Sequence, residues 1–147
     1  MKIYFTEADV NSNIEAIQAA GMKLVNNECV VEEFIAACTG REVNYPTGLF
    51  LPFEKGVAMP HGESKYVKED SISVVRTSKP VTFHRMEDVN QTVDTQLVFN
   101  LALSSGQKHL QILRKLMQLF QNEEFIDNCL NYNQDKMVSY IETMLEI

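Results

Sequence analysis

Apolar residues recur at helical spacing in the first part of the chain. Ser12 is a residue type that caps helices, and small and apolar residues follow it three and four positions apart as far as Gly21, a typical helix stop. A second amphipathic stretch runs from about Asn27 to Cys38. This pattern predicts two helices and places Arg41 at the end of the second.

The hydrophobic period changes between about residue 48 and residue 103. Short runs rich in β-branched and aromatic residues alternate with Gly, Pro, Asp and Ser, which is typical of strands separated by turns. These runs are 48–51, 57–59, 72–75, 81–83 and 97–103. The last run is almost entirely apolar, as expected of a strand buried on both faces, so we expect it at the centre of a sheet.

Helical spacing returns after the strands. The strongest pattern follows a capping segment at 104–107, and its predicted apolar stripe is Leu110, Leu113, Leu116, Met117 and Phe120. Two further helices are predicted over about 123–130 and 135–145. Helices, then strands, then helices indicate a layered α/β or α+β domain. Because no linker or repeat divides the sequence, we expect one domain over residues 1–147.

Composition narrows the class of protein. The 147 residues are 45% hydrophobic and 22% charged, which excludes a disordered chain. The net charge of −7 repels phosphate backbones and argues against nucleic-acid binding. Cys29, Cys38 and Cys129 are widely spaced within apolar segments, so we expect reduced, buried thiols. With no signal-like or membrane-spanning apolar run, the sequence predicts a cytoplasmic protein.

The segment from Gly56 to Gly62, GVAMPHG, is the strongest candidate for chemistry. An apolar strand meets Pro60, which ends ladder pairing, and His61 follows at an exposed strand end. Gly62 leaves the approach to the ring open and lets the backbone turn N–H groups towards an anion. His61 is thus either a nucleophile or a turn histidine that only satisfies a backbone group.

Two other residues are suited to anions. His109 falls in the first turn of a helix, where the positive end of the dipole attracts a phosphoryl group, although a solvated polar residue would have the same sequence. Arg41 offers a planar fork of donors to phosphate oxygens, although most such arginines are solvated or paired. The spacing of His61, His84 and His109 fits no metal motif, and no metal is predicted. His84 is expected to be a solvated loop residue.

Taken together, these residues resemble the enzyme IIA proteins of the mannitol–fructose class of the bacterial sugar phosphotransferase system. The segment GVAMPHG resembles the active-site motif of that family, in which the histidine is transiently phosphorylated. Arg41-Glu42, Pro46-Thr47-Gly48 and the helix start at His109, HLQILRKL, agree with it in order and separation. The resemblance implies a mixed β-sheet flanked by helices.

The resemblance also implies a role for each residue. His61 would accept the phosphoryl group, His109 and Arg41 would support it, and Thr47 and Gly62 would assist, with no cofactor. The donor would be the histidine-containing phosphocarrier protein and the acceptor a cysteine of a IIB component, while the sugar is bound by a separate membrane component, IIC. We expect a modest apolar docking patch around His61, drawn from Phe50, Leu51, Phe53 and Met59.

Two features depart from the common pattern. Segment 49–55 is longer than the short Gly-rich turn usual before the motif, as in the galactitol-like branch. Glu63 puts an acid beside His61, which disfavours a phosphoryl dianion unless the carboxylate points outward. The sequence leaves open a regulatory alternative, as in the nitrogen-related branch, in which the phosphorylation state of the protein controls its binding to other proteins.

Overall fold

In the computed structural model, which describes residues 1–104 and 106–147, five strands form one mixed sheet. The strands are β1 (Lys2–Ala8), β2 (Gly48–Phe50), β3 (Gly56–Ala58), β4 (Ser71–His84) and β5 (Thr92–Ala102). Their order in the sheet is β1-β4-β5-β3-β2. Strand β5 pairs antiparallel with β4 and parallel with β3, while β1 runs parallel to β4 and β2 antiparallel to β3. The prediction that 97–103 lies at the centre is confirmed.

Helices cover both faces of this sheet. They are α1 (Asn13–Asn26), α2 (Glu33–Asn44), α3 (Gln107–Phe120), α4 (Glu123–Asn131) and α5 (Gln134–Leu145). Side chains alternate along β5: Phe99 and Leu101 pack in a core with α3, α4 and α5, whereas Val98 and Ala102 pack in a second core with α1 and α2. The layered α/β class predicted from the sequence is therefore correct.

Helix α1 begins where the sequence predicts but ends later. The Ser12 Oγ accepts a hydrogen bond from the Glu15 N–H at 3.2 Å, as an N-cap should. Gly21 does not stop the helix, which continues to Asn26. A Cβ at Gly21 would lie only 2.7 Å from Cγ1 of Ile35 on α2. This glycine therefore allows the close approach of the two helices.

Three other boundaries differ from the sequence prediction. Strand β1 was not predicted. The runs 72–75 and 81–83 belong to one strand, β4, whose register with β5 shifts between Arg76 and Val81. Helix α2 begins at Glu33 rather than near Asn27, because the Val31 N–H instead donates to the Tyr66 carbonyl and Val30 forms a bridge with Val67. These differences leave the order of layers unchanged.

The predicted apolar stripe of helix α3 is correct in part: Leu116 and Phe120 are buried and Leu113 packs against the core, whereas Leu110 and Met117 do not. Ile112, Leu116, Leu119 and Phe120 are buried, while Leu110 is 51% exposed and Met117 is 37% exposed. Its N-cap is Gly106, whose φ of 121° favours glycine, and within residues 1–104 and 106–147 no side chain caps the helix. The predicted capping segment includes Ser105, which lies outside the described residues.

The cysteines agree with the sequence prediction. Cys29, Cys38 and Cys129 are free thiols in buried positions. Burial raises the pKa of Cys38 and of Cys129 to about 12. Among the helices described, none is long and apolar enough to cross a bilayer.

Candidate active site

His61 lies where two parallel strands end. Strand β3 stops at Ala58, and Pro60 has no N–H to extend the ladder, but the Leu101 N–H of β5 donates to the Pro60 carbonyl at 2.9 Å. A parallel bridge then joins His61 to Leu101. The carboxyl ends of parallel strands are the usual location of binding sites in α/β sheets.

The imidazole of His61 is held by its own loop. Its Nδ1 lies 2.9 Å from the Met59 carbonyl oxygen. A carbonyl can only accept a hydrogen bond, so we assign the ring proton to Nδ1, which leaves the lone pair on Nε2. Burial lowers the pKa of His61 below 6.5 against an opposing effect of the Met59 carbonyl, and electrostatic interactions with Arg41 and His109 lower it further. The ring is therefore neutral at pH 7 and Nε2 is nucleophilic.

His109 reaches the site from the next element along the chain. Strand β5 leads into α3, and His109 is the third residue of that helix, so its ring lies at the positive end of the helix dipole. Its Nδ1 is buried and has no hydrogen-bond partner among the described residues. His109 is close enough to interact electrostatically with His61 and to lower its pKa.

Arg41 approaches from the other side of the sheet. It lies in the last turn of α2, is exposed, and has its guanidinium carbon 5.1 Å from the centre of the Tyr45 ring. Its charge also lowers the pKa of His61. The structure thus places Arg41 and His109 within electrostatic range of His61, although the three residues are far apart in the sequence.

Thr47 is buried and is linked to the loop of His61 through Met59. Its N–H donates to Oε2 of Glu42 at 2.8 Å, and its hydroxyl donates to Oε1 of the same carboxylate, also at 2.8 Å. The Thr47 carbonyl accepts a hydrogen bond from the Met59 N–H at 3.2 Å. Both donors of Thr47 are therefore engaged, and the contact with a phosphoryl group predicted for Thr47 requires one of these bonds to break.

Sequence reasoning did not identify Glu42. It is only 5% exposed, and burial raises the pKa of its carboxyl against the opposing effects of the Thr47 bonds and of the charges of His84 and Arg41. A signal was present: Glu42 follows the buried residues Phe34 and Cys38 at steps of four, so it lies on the buried face of α2.

Gly62 faces α2 rather than an open approach. A Cβ at this position would lie 3.2 Å from Cε2 and 3.3 Å from Cδ2 of Phe34, and 3.4 Å from Sγ of Cys38. The absence of a side chain at Gly62 therefore accommodates the packing of α2 against the loop that carries His61.

The long segment 49–55 extends away from His61. Strands β2 and β3 form a hairpin in which Phe50 pairs with Gly56, and the Leu51 N–H donates to the Lys55 carbonyl across the turn. The turn therefore lies at the opposite end of β3 from His61. Phe50 is 49% exposed at that far end, and Leu51 and Met59 are buried, so these three do not form the apolar patch expected around His61.

The two remaining polar candidates lie apart from the reacting ring. Glu63 is exposed and pairs with Lys65 at 3.7 Å, so its carboxylate points outward. His84 is exposed as predicted, but it is the last residue of β4 rather than part of a loop, and its Nδ1 bonds the Val89 carbonyl at 2.8 Å. Within the described residues, no three His, Cys, Asp or Glu side chains are grouped to hold a metal ion.

The sequence is similar to curated phosphotransferase proteins. It is 25% identical over 126 residues to the galactitol-specific EIIA component of Escherichia coli (strain K12), covering 86% of this chain and 83% of the relative. It is 28% identical over 147 residues to the mannitol-specific enzyme IIA component of Staphylococcus aureus (strain Mu50), covering 97% and 90%.

The fold is similar to that of a solved structure, the complex of enzyme IIAMTL and phosphorylated enzyme IIBMTL from Escherichia coli. The TM-score is 0.71 at 22% identity, over 99% of this chain and 94% of the matched chain. The family model for the phosphoenolpyruvate-dependent sugar phosphotransferase system, EIIA 2, matches residues 2–144. This match spans nearly the whole chain, together with the motif around His61, and shows that the chain belongs to the EIIA 2 family of phosphoryl-transferring components of that system.

Proposed function

We propose that this protein accepts a phosphoryl group on Nε2 of His61 and passes it to the cysteine of a IIB component. The observation that supports this is the bond from Nδ1 of His61 to the Met59 carbonyl, since it directs the lone pair of a neutral ring to Nε2. The donor we propose is the phosphohistidine of the phosphocarrier protein of the system.

The transfer balances without a cofactor. The Nε2 lone pair attacks phosphorus, the donor's N–P bond breaks, and its electron pair remains on the donor imidazole. The ring of His61 now carries both the phosphoryl group and the Nδ1 proton, so it is a cationic and therefore good leaving group. Attack by a IIB thiolate breaks the new N–P bond and returns the electron pair to Nε2. The Met59 carbonyl stabilises the Nδ1 proton throughout.

The positive charge of Arg41 acts both before and after the phosphoryl group reaches His61. Before transfer it lowers the pKa of His61 and so keeps the lone pair available. After transfer the same guanidinium attracts the phosphoryl dianion. We propose that His109 carries its proton on Nε2, because a buried N–H without a partner is rarer than a buried lone pair, and that it donates this proton to a phosphoryl oxygen.

The experiment that tests this assignment is phosphorylation by the purified donor system, followed by mass spectrometry. Wild type should gain one acid-labile phosphoryl group, and His61→Ala should gain none while remaining folded. His84→Ala is the matched control, because it removes an exposed imidazole and should be labelled like wild type. Labelling of His61→Ala at the wild-type rate would exclude His61 as the acceptor.

For the acceptor, we propose a IIB component of the galactitol type. The support is the galactitol-specific relative at 25% identity and the lengthened segment 49–55. Phosphorylated protein mixed with galactitol-type and mannitol-type IIB proteins should transfer its label to the cysteine of the galactitol type faster. If every IIB leaves the label on His61 and another protein binds only one phosphorylation state, the regulatory alternative replaces the transport role.

A further inference from the structure

A continuous line of hydrogen bonds joins Glu42, which the proposed mechanism does not use, to the ring of His61. The two carboxylate oxygens of Glu42 accept from the N–H and the hydroxyl of Thr47. The Thr47 carbonyl accepts from the Met59 N–H, and the Met59 carbonyl accepts from Nδ1–H of His61. Four hydrogen bonds thus link a carboxylate on α2 to the reacting imidazole.

A buried carboxylate such as that of Glu42 destabilises the fold unless hydrogen bonds compensate for its lost hydration. Burying a carboxylate in a position only 5% exposed requires that its oxygens be paired, and burial already raises the pKa of Glu42. Both carboxylate oxygens of Glu42 accept hydrogen bonds from one residue, Thr47, which directly precedes β2. The carboxylate therefore fixes the backbone of Thr47 at its amide and its side chain at the same time, as a two-point clamp.

The clamp acts on the segment that orients His61. Thr47 and Met59 lie one step beyond the last β2–β3 pair, Gly48 and Ala58, so they extend the hairpin towards His61. The two strands of this hairpin are only three residues long, and Pro60 cannot donate to a neighbouring strand. Met59 is therefore held by Thr47 at its N–H, and its carbonyl, one Cα further along, holds the ring of His61.

We propose that Glu42 is a positioning residue that keeps the His61 proton on Nδ1 and the lone pair on Nε2, acting through Thr47 and Met59. This role rests on the proposed phosphoryl transfer for its purpose, but the tautomer of His61 can be measured without any donor protein. Without the clamp, the Thr47 bond no longer holds the Met59 N–H firmly, and the contacts of Pro60 and His61 with Leu101 remain to hold the loop. The Met59 carbonyl can then shift from the ring, and a free imidazole populates both neutral tautomers.

The test compares three variants with wild type by ¹⁵N NMR of the imidazole nitrogens at a pH where His61 is neutral. Glu42→Ala removes both acceptors of the Thr47 donors and should shift the His61 ring to a mixture of tautomers. Glu42→Gln can accept from the Thr47 N–H and donate to its hydroxyl, so it should keep the Nδ1–H form. Glu33→Ala is the charge-matched control, because it removes an exposed carboxylate from the first turn of the same helix.

Phosphoryl transfer provides the second measurement. Misplacing a reacting group by about 1 Å costs on the order of a hundredfold in rate, so Glu42→Ala should accept phosphate about ten to a hundred times more slowly. Glu42→Gln and Glu33→Ala should stay within about threefold of wild type. Thr47→Val, which keeps the N–H but loses the hydroxyl, provides the tautomer measurement if Glu42→Ala does not fold.

The outcomes separate this inference from the proposed function. An unchanged Nδ1–H tautomer in folded Glu42→Ala, or in Thr47→Val if Glu42→Ala does not fold, overturns the positioning role even if His61 is phosphorylated normally. Failure of wild type to be phosphorylated overturns the proposed function, whereas a tautomer change in Glu42→Ala would still establish the link. Loss of the Nδ1–H form in Glu42→Gln as well would show that the charge is needed, against the hydrogen-bonding role proposed.

Discussion

Replacing Gly62 by Ala tests whether the loop of His61 is held tightly against α2. The added Cβ would lie 3.2 and 3.3 Å from two ring carbons of Phe34, whereas carbon atoms prefer separations of about 3.5–4.0 Å. The Phe34 ring is fully buried, so the loop must move by a few tenths of an ångström. Overpacking of this kind costs about 1–3 kcal/mol.

Gly40, which lies on α2, provides the control for this substitution. A Cβ at Gly40 would meet no atom within 4 Å, so Gly40→Ala should stabilise the helix by about 0.5–1 kcal/mol. Urea denaturation should therefore find Gly62→Ala less stable than Gly40→Ala by about 1.5–4 kcal/mol. Gly62→Ala should also accept phosphate several-fold more slowly, because the required shift displaces His61.

A double variant tests the cause of the change. Phe34→Leu removes Cε2, the ring carbon nearest to the added methyl group, so combining it with Gly62→Ala should cost less than the sum of the two, by about 0.5–3 kcal/mol. The reasoning is refuted if Gly62→Ala matches Gly40→Ala in stability. Normal stability with lost phosphoryl acceptance would instead place the space at Gly62 in the path of the partner protein, as the sequence alone suggested.

Two further predictions concern the groups around the ring. His109→Ala should accept phosphate about 10²–10³ times more slowly with little change in the fold, since it loses one preorganised donor; quenched-flow kinetics at the wild-type rate would contradict this. Arg41→Gln should raise the pKa of His61, because Arg41 lowers it in wild type, where NMR titration should give a value below 6.5. Acceptance of phosphate by wild type should accordingly decline only below pH 6.5, where the ring protonates, and at higher pH in Arg41→Gln.

The layers of this fold could be predicted from the sequence because its apolar residues follow either helical spacing or short strand-like runs. The almost entirely apolar run at 97–103 identified the central strand, since a strand with apolar side chains on both faces is expected to be covered on both. Strand β1 was missed because Lys2–Ala8 alternates weakly and its pairing with β4 joins residues about 70 positions apart. Gly21 was misread because the pattern of one helix does not show that a second helix packs against it.

In the site, too, features of a single element are visible in the sequence, whereas contacts between elements are not. His61, His109 and Arg41 could be named as candidates because a strand end, a helix start and a helix end are visible in sequence. The contact between Glu42 and Thr47 was not, because it depends on how the end of α2 turns into β2. The face of α3 was also wrong at Leu110 and Met117, since spacing alone does not show which of two adjoining stripes meets the sheet.

The identity of the phosphorylated atom tests the central claim most directly. Protein labelled with ¹⁵N at its histidine rings and phosphorylated by the donor system can be measured by ¹⁵N and ³¹P NMR under alkaline conditions, where phosphohistidine survives. The account predicts a phosphorus–nitrogen coupling to Nε2 of His61, with the proton on Nδ1 in the unphosphorylated protein. Phosphorus bonded to Nδ1 of His61, or to any other residue, would contradict it.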